Sequence, residues 1–175
     1  MTKKHIAFSV LLASLLTFLT ASKEENKSNV YLAQLQNLCE QELTSGGQIV
    51  ADSLVGKMIV LNFWASYDPA SRINSYNLVG IGNHYANQKF QGADGLQVVS
   101  ISLDVFRSAM QKAIEADGTQ DFFHLCDLQG EDSPIAKSFD VNRPVNLLLS
   151  ADGKILARDF GTDMIESVLG MLAEY

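Results

Sequence analysis

The chain has 175 residues and a mass of 19.2 kDa, which is room for one domain with a short appendage. With 47% apolar and 19% charged residues it can fill a core, which excludes disorder of the chain as a whole. Its 13 basic and 20 acidic residues, net charge −7 with no run of Lys or Arg, speak against sequence-independent nucleic-acid binding, while two distant cysteines, Cys39 and Cys126, exclude a disulfide-dense scaffold or a four-cysteine zinc site.

In chain order, Lys3 and Lys4 precede a nearly unbroken apolar run over residues 6–19 that ends in Thr20, Ala21 and Ser22. This layout predicts a secretory signal peptide over residues 1–21, because the run is shorter than the roughly 20 residues that a membrane-spanning helix needs. The segment resembles the end of a bacterial lipoprotein signal, but the lipid-bearing cysteine is absent. Cleavage after Ala21 would remove only basic charge and leave a more acidic chain with no stable membrane anchor. Periplasmic or secreted localisation follows as an expectation. Residues 22–29 are polar and read as a tether, which leaves a domain over residues 30–175.

Residues 58–64 (MIVLNFW), 96–103 (LQVVSISL) and 145–149 (VNLLL) are apolar runs of the kind found in strands covered on both faces, most often in parallel sheets. After the first run, Leu78, Ile81 and Tyr85 mark one helix, weakened by Gly80 and Gly82. Phe106, Ala109, Met110, Ala113 and Ile114 mark a second, with Gly118 where a left-handed cap would stop it. Residues 122–127 form a short strand candidate, and Ser133-Pro134 reads as an N-cap followed by proline at the first helical position. Asp152-Gly153 between residues 145–150 and 154–159 is a hairpin signal, since both turn residues tolerate positive φ. Met164, Ile165, Val168, Leu169 and Leu172 then share one face of a closing helix. The order predicts an α/β fold, a mixed sheet flanked by helices, parallel at first and antiparallel at one edge.

That order, with Gly56-Lys57-Met58-Ile59-Val60-Leu61-Asn62-Phe63-Trp64-Ala65-Ser66, resembles the thioredoxin-like superfamily of the TlpA/ResA and AhpC/TSA type. Residues 47–54 look like the family's N-terminal β-hairpin, residues 98–104 (VVSISLD) like its next core strand and terminal acid. Residues 139–144 (FDVNRP) look like the segment that carries its cis-proline. The resemblance implies a thiol-disulfide oxidoreductase with Trp-Cys-x-x-Cys after the first strand. Here the stretch reads Tyr67-Asp68-Pro69-Ala70-Ser71-Arg72, so Asp68 and Ser71 stand where the family has its two sulfurs. Neither a carboxylate nor a hydroxyl exchanges disulfides by thiolate attack.

Read from the residues alone, Asp68 is an N-cap with Pro69 at the first helical position, and Ser71 is a solvated or capping hydroxyl with no histidine near it in sequence. His84 is expected to be partly buried and structural, and His124 to lie on the edge of a pleated surface; no metal or cofactor is implied. Cys39 and Cys126 could be separate core residues, one structural disulfide, or a lone reactive thiol at Cys126, which the neighbouring Asp127 would disfavour. The leading expectation is a redox-inactive protein of the cell envelope that binds a peptide or partner protein through a cis-proline groove made of Trp64, Tyr67, Asp68, Ser71, Arg72, Arg143 and Pro144. The alternative is a thiol-disulfide oxidoreductase or peroxidase acting through a single cysteine, Cys126 or Cys39.

Overall fold

The computed structural model describes residues 33, 35, 53–159 and 161–174. The signal peptide, the tether and Cys39 lie outside the described residues, as does the expected hairpin over residues 47–54 but for its last two.

Five strands form one mixed sheet: β1 (Met58–Trp64), β4 (Leu96–Ser102), β5 (Phe123–Leu125), β6 (Val145–Leu149) and β7 (Ile155–Arg158), in the order β5-β4-β1-β6-β7. β4 runs parallel to β1, and β5 parallel to β4, while β6 is antiparallel to both β1 and β7. The fold is the expected thioredoxin-like α/β arrangement. One detail differs: the apolar run of β6 suggested a parallel strand, but coverage on both faces, not strand direction, is what it records.

All seven residues of β1 are buried, and their alternation divides the core. Ile59, Leu61 and Phe63 face one layer with Val99, Ile101, Phe139 and Leu147. Met58 and Val60 face the other with Leu78, Ile81, Tyr85 and Leu148. Trp64, at the strand's end, packs with Met110, Ala113 and Cys126.

The long helix α1 (Pro69–Tyr85) is 17 residues, beginning sooner than its apolar positions alone indicated. Gly82 within it has a packing reason: a Cβ there would sit 3.1 Å from Val98 Cγ2. α2 (Arg107–Asp117) ends at Gly118, which has φ 66° and supplies the left-handed cap its position implied. Phe106 does not join the buried face of α2; it occupies the N-cap position and is 69% exposed. α3 (Pro134–Ser138) starts at Ser133, whose side chain accepts from Ala136 N–H. In α4 (Thr162–Leu172), Ile165 and Leu169 are buried, but Met164, one position round the helix from Ile165, faces solvent. A two-stranded ribbon, β2 (Lys89–Phe90) with β3 (Ala93–Asp94), had no clear sequence signal at this length. Beside it Gly95 is required: at φ 104° a Cβ would lie 2.1 Å from the Ala86 carbonyl oxygen.

Among the described residues no helix is long and apolar enough to cross a membrane.

Candidate functional site

β1 delivers the chain to the N-terminus of α1 through a tight turn, in which Asp68 N–H donates to Ala65 O at 3.1 Å. Asp68 is extended (φ −104°, ψ 104°) and its Oδ1 accepts from Ser71 N–H at 2.6 Å, the geometry of an N-cap. Pro69 follows at the first helical position, where its missing N–H would have had no partner. Ser71 is buried: its hydroxyl accepts from Ala65 N–H at 3.2 Å and lies 3.0 Å from Asp68 O and 3.2 Å from Ala65 O, to which it can donate. Its hydrogen-bonding capacity goes into closing the turn.

A second group braces the same turn from β4. Asp104, 3% exposed, accepts from Ser66 N–H at 3.1 and 3.2 Å, from Ser66 Oγ at 2.6 Å and from Ser102 Oγ at 2.6 Å. A buried carboxylate is tolerable only when so many donors replace its water. Tyr67, between these anchors, is 65% exposed. Its phenol pKa is raised, first by the solvent its seat excludes and then by Glu131, Asp104 and Asp68.

Opposite the turn runs the segment into β6. A pocket of about 380 Å³ lies between them, lined by Asp68, Ser71 and Asn74 on one side and by Arg143, Pro144 and Asn146 on the other, together with Asp159. Arg143 forms an ion pair with Asp159, which holds a left-handed backbone at φ 58°. Asn74 Nδ2 donates to Asn146 Oδ1 at 3.0 Å and bridges helix and sheet within the pocket's lining.

Of the seven residues expected to form a groove, Asp68, Ser71, Arg143 and Pro144 meet in this pocket. Trp64 does not: it is 1% exposed and serves as core under α2, since even positions of β1 point to the helical layer. Arg72 points the other way along α1, where Nε and Nη2 grip Asp117 at 2.8 and 2.5 Å and tie α1 to α2. Tyr67 lies on the turn's outer surface and does not line the pocket. The peptide bond before Pro144 is trans, and no cis bond occurs among the described residues. The expected cis-proline groove is therefore corrected to a pocket beside a trans-proline, the isomer that X–Pro bonds ordinarily prefer by about 0.5–1 kcal/mol. Asn74, Asn146 and Asp159 were missed. A signal for Asn146 existed, because it interrupts an apolar strand run, as Asn62 does in β1.

The remaining chemistry-bearing groups lie elsewhere. Cys126 is fully buried and its thiol donates to Asp104 O at 3.5 Å. His84 is exposed, not partly buried, because its place on α1 turns it away from the sheet, and it stands edge-on to Tyr85. His124 Nε2 lies 2.6 Å from Thr119 O, and burial lowers its pKa despite that carbonyl. Among the described residues no three His, Cys, Asp or Glu side chains are grouped to hold a metal ion.

No family model matches the chain, and no curated protein matches it. Solved structures do. A thiol-disulfide oxidoreductase from Bacteroides fragilis is 32% identical, over 67% of this chain and 82% of that one, with a TM-score of 0.59. The C-terminal domain of a protein assigned as a thiol-disulfide oxidoreductase from Bacteroides thetaiotaomicron is 33% identical, over 69% and 80%, with a TM-score of 0.60. A thioredoxin-like protein from Parabacteroides distasonis is 26% identical, over 66% and 81%, with a TM-score of 0.56.

Proposed function

The chain belongs to the thioredoxin-like superfamily that includes thiol-disulfide oxidoreductases, and from that premise we propose that it is a redox-inactive member of the cell envelope that binds an extended peptide or a partner protein. The observation that carries this reading is the pocket in which Asp68 and Ser71 face Arg143 and Pro144. In this reading Asp68 and Ser71 replace the two sulfurs of the superfamily's redox motif. The helix N-terminus that would hold a thiolate holds the Asp68 carboxylate in its place, and no thiolate is available there to attack a disulfide sulfur.

What the pocket offers is polar recognition. The backbone entering β6 next to Pro144, the Asn74 and Asn146 amides and the Arg143 guanidinium can hydrogen-bond a chain laid alongside, while Phe63 and Val145 supply apolar contact. The apolar leader over residues 6–19 supports export to the envelope. The single-cysteine alternative draws no support from Cys126, whose thiol is enclosed.

Two measurements test the reading. Binding to a library of extended peptides should weaken at least tenfold in Arg143→Glu, and unchanged binding would remove the pocket from recognition. Wild-type protein should not reduce insulin disulfides, whereas Asp68→Cys/Ser71→Cys should gain that activity. Wild-type turnover lost in Cys39→Ser or Cys126→Ser would overturn redox inactivity.

A further inference from the structure

The register of the sheet places four polar residues in one row: Asn146 opposite Asn62, Asn62 opposite Ser100, and Ser100 opposite His124. Directly paired residues share a face, so this row crosses β6, β1, β4 and β5 on the side covered by α1. Asn62 and Ser100 are 0% exposed. Trp64 lies on the same face two residues beyond Asn62, with its ring centroid 6.1 Å from that of His124.

The hydrogen bonds that are made fix the ones that are left. Ser75 Oγ donates to Ser71 O at 2.9 Å, so it can only accept from Asn62, whose Nδ2 lies 2.7 Å away. The Asn62 amide orientation is thereby set, and its Oδ1 is a bare acceptor among the described residues. His124 Nε2 must carry its proton to meet the Thr119 carbonyl, which makes Nδ1 of the neutral ring a second bare acceptor. Trp64 Nε1 is a buried donor without a partner among the described residues, and Ser100 Oγ brings a second donor hydrogen. Two acceptors and two donors are the complement of a water molecule. Leaving four buried groups unsatisfied together costs more than immobilising the one water that would satisfy them.

We propose that this row is an internal hydration site, in which one water, or a hydrogen-bonded pair, donates to Asn62 Oδ1 and His124 Nδ1 and accepts from Ser100 Oγ and Trp64 Nε1. The water completes a continuous hydrogen-bonded chain from Thr119 O through His124, Asn62 and Ser75 to Ser71 at the pocket. The polar interruptions of the buried strands are then one structure, which fixes the seat of α1 against the sheet from inside.

A crystal structure of the wild-type protein, at a resolution that shows ordered waters, decides the matter. The expected result is a peak within about 3.2 Å of at least two of the four atoms. No such peak, whether Ser100 Oγ bonds directly to Asn62 or His124 or the atoms stay dry, overturns the proposal. In solution the lone tryptophan gives the same test by itself: a long-lived water should produce a nuclear Overhauser cross-peak to the Trp64 indole N–H, and its absence would sink the idea.

Discussion

Two strand-to-helix turns sit side by side at the same end of the sheet, one from β1 into α1 and one from β4 into α2, and they are built in opposite ways. The first has a side-chain cap, a proline at the first helical position and a buried serine that closes the turn. The second enters α2 through Phe106, which makes no side-chain cap, with Val105 and Phe106 exposed. Asp104 belongs to the second turn in sequence yet spends its carboxylate on Ser66 in the first. The turn beside the pocket thus takes side-chain hydrogen bonds from its neighbour's aspartate, while the neighbour's own helix start goes without a side-chain cap.

Breaking that brace should have the largest effect. Asp104→Ala leaves the Ser66 and Ser102 donors without their acceptor, and urea unfolding should show a loss of about 3 kcal/mol, against a smaller loss in Asp104→Asn, which keeps one oxygen. Next is the cap itself: Asp68→Ala should cost about 1 kcal/mol in the same assay, with the helix otherwise retained. The contrast can also be reduced from the other side. Phe106→Asp would place a capping carboxylate on an extended N-cap residue (φ −122°, ψ 112°) and should raise stability by about 0.5 kcal/mol; no gain would mean that the second turn is already satisfied.

The smallest effect is a pH dependence in the floor beside Trp64. Burial lowers the folded pKa of His124, so the unfolded chain binds its proton more readily. Its contribution to stability is complete above the unfolded value of about 6.5 and is lost as pH falls through that value toward the lower folded one. His124→Phe should flatten this part of the stability curve. A curve identical to wild type would show that His124 does not titrate differently on folding.

The fold was legible because its strongest signals are local. MIVLNFW announces a strand covered twice, Gly118 a helix stop, Asp152-Gly153 a hairpin, and each stands where the pattern put it. Half of the site was legible for the same reason: Asp68 and Pro69 are a helix start that any reader of capping patterns can place. Arg72 and Trp64 were misplaced because sequence neighbours on a turn or strand point to different sides. Which of them meets Pro144, more than 70 residues away, depends on how α1 and β6 dock.

The sequence by itself determined the order and type of the main-sheet strands and the α-helices, the acidic charge, and the absence of sulfur between Tyr67 and Arg72, since these are local or compositional properties. Only the tertiary structure decided that Asn62, Ser100, His124 and Asn146 form one row, that Arg72 leaves the pocket for Asp117, and that Asp104 braces Ser66. Those relations come from strand register and helix docking, where one residue of slip would turn every side chain to the opposite face.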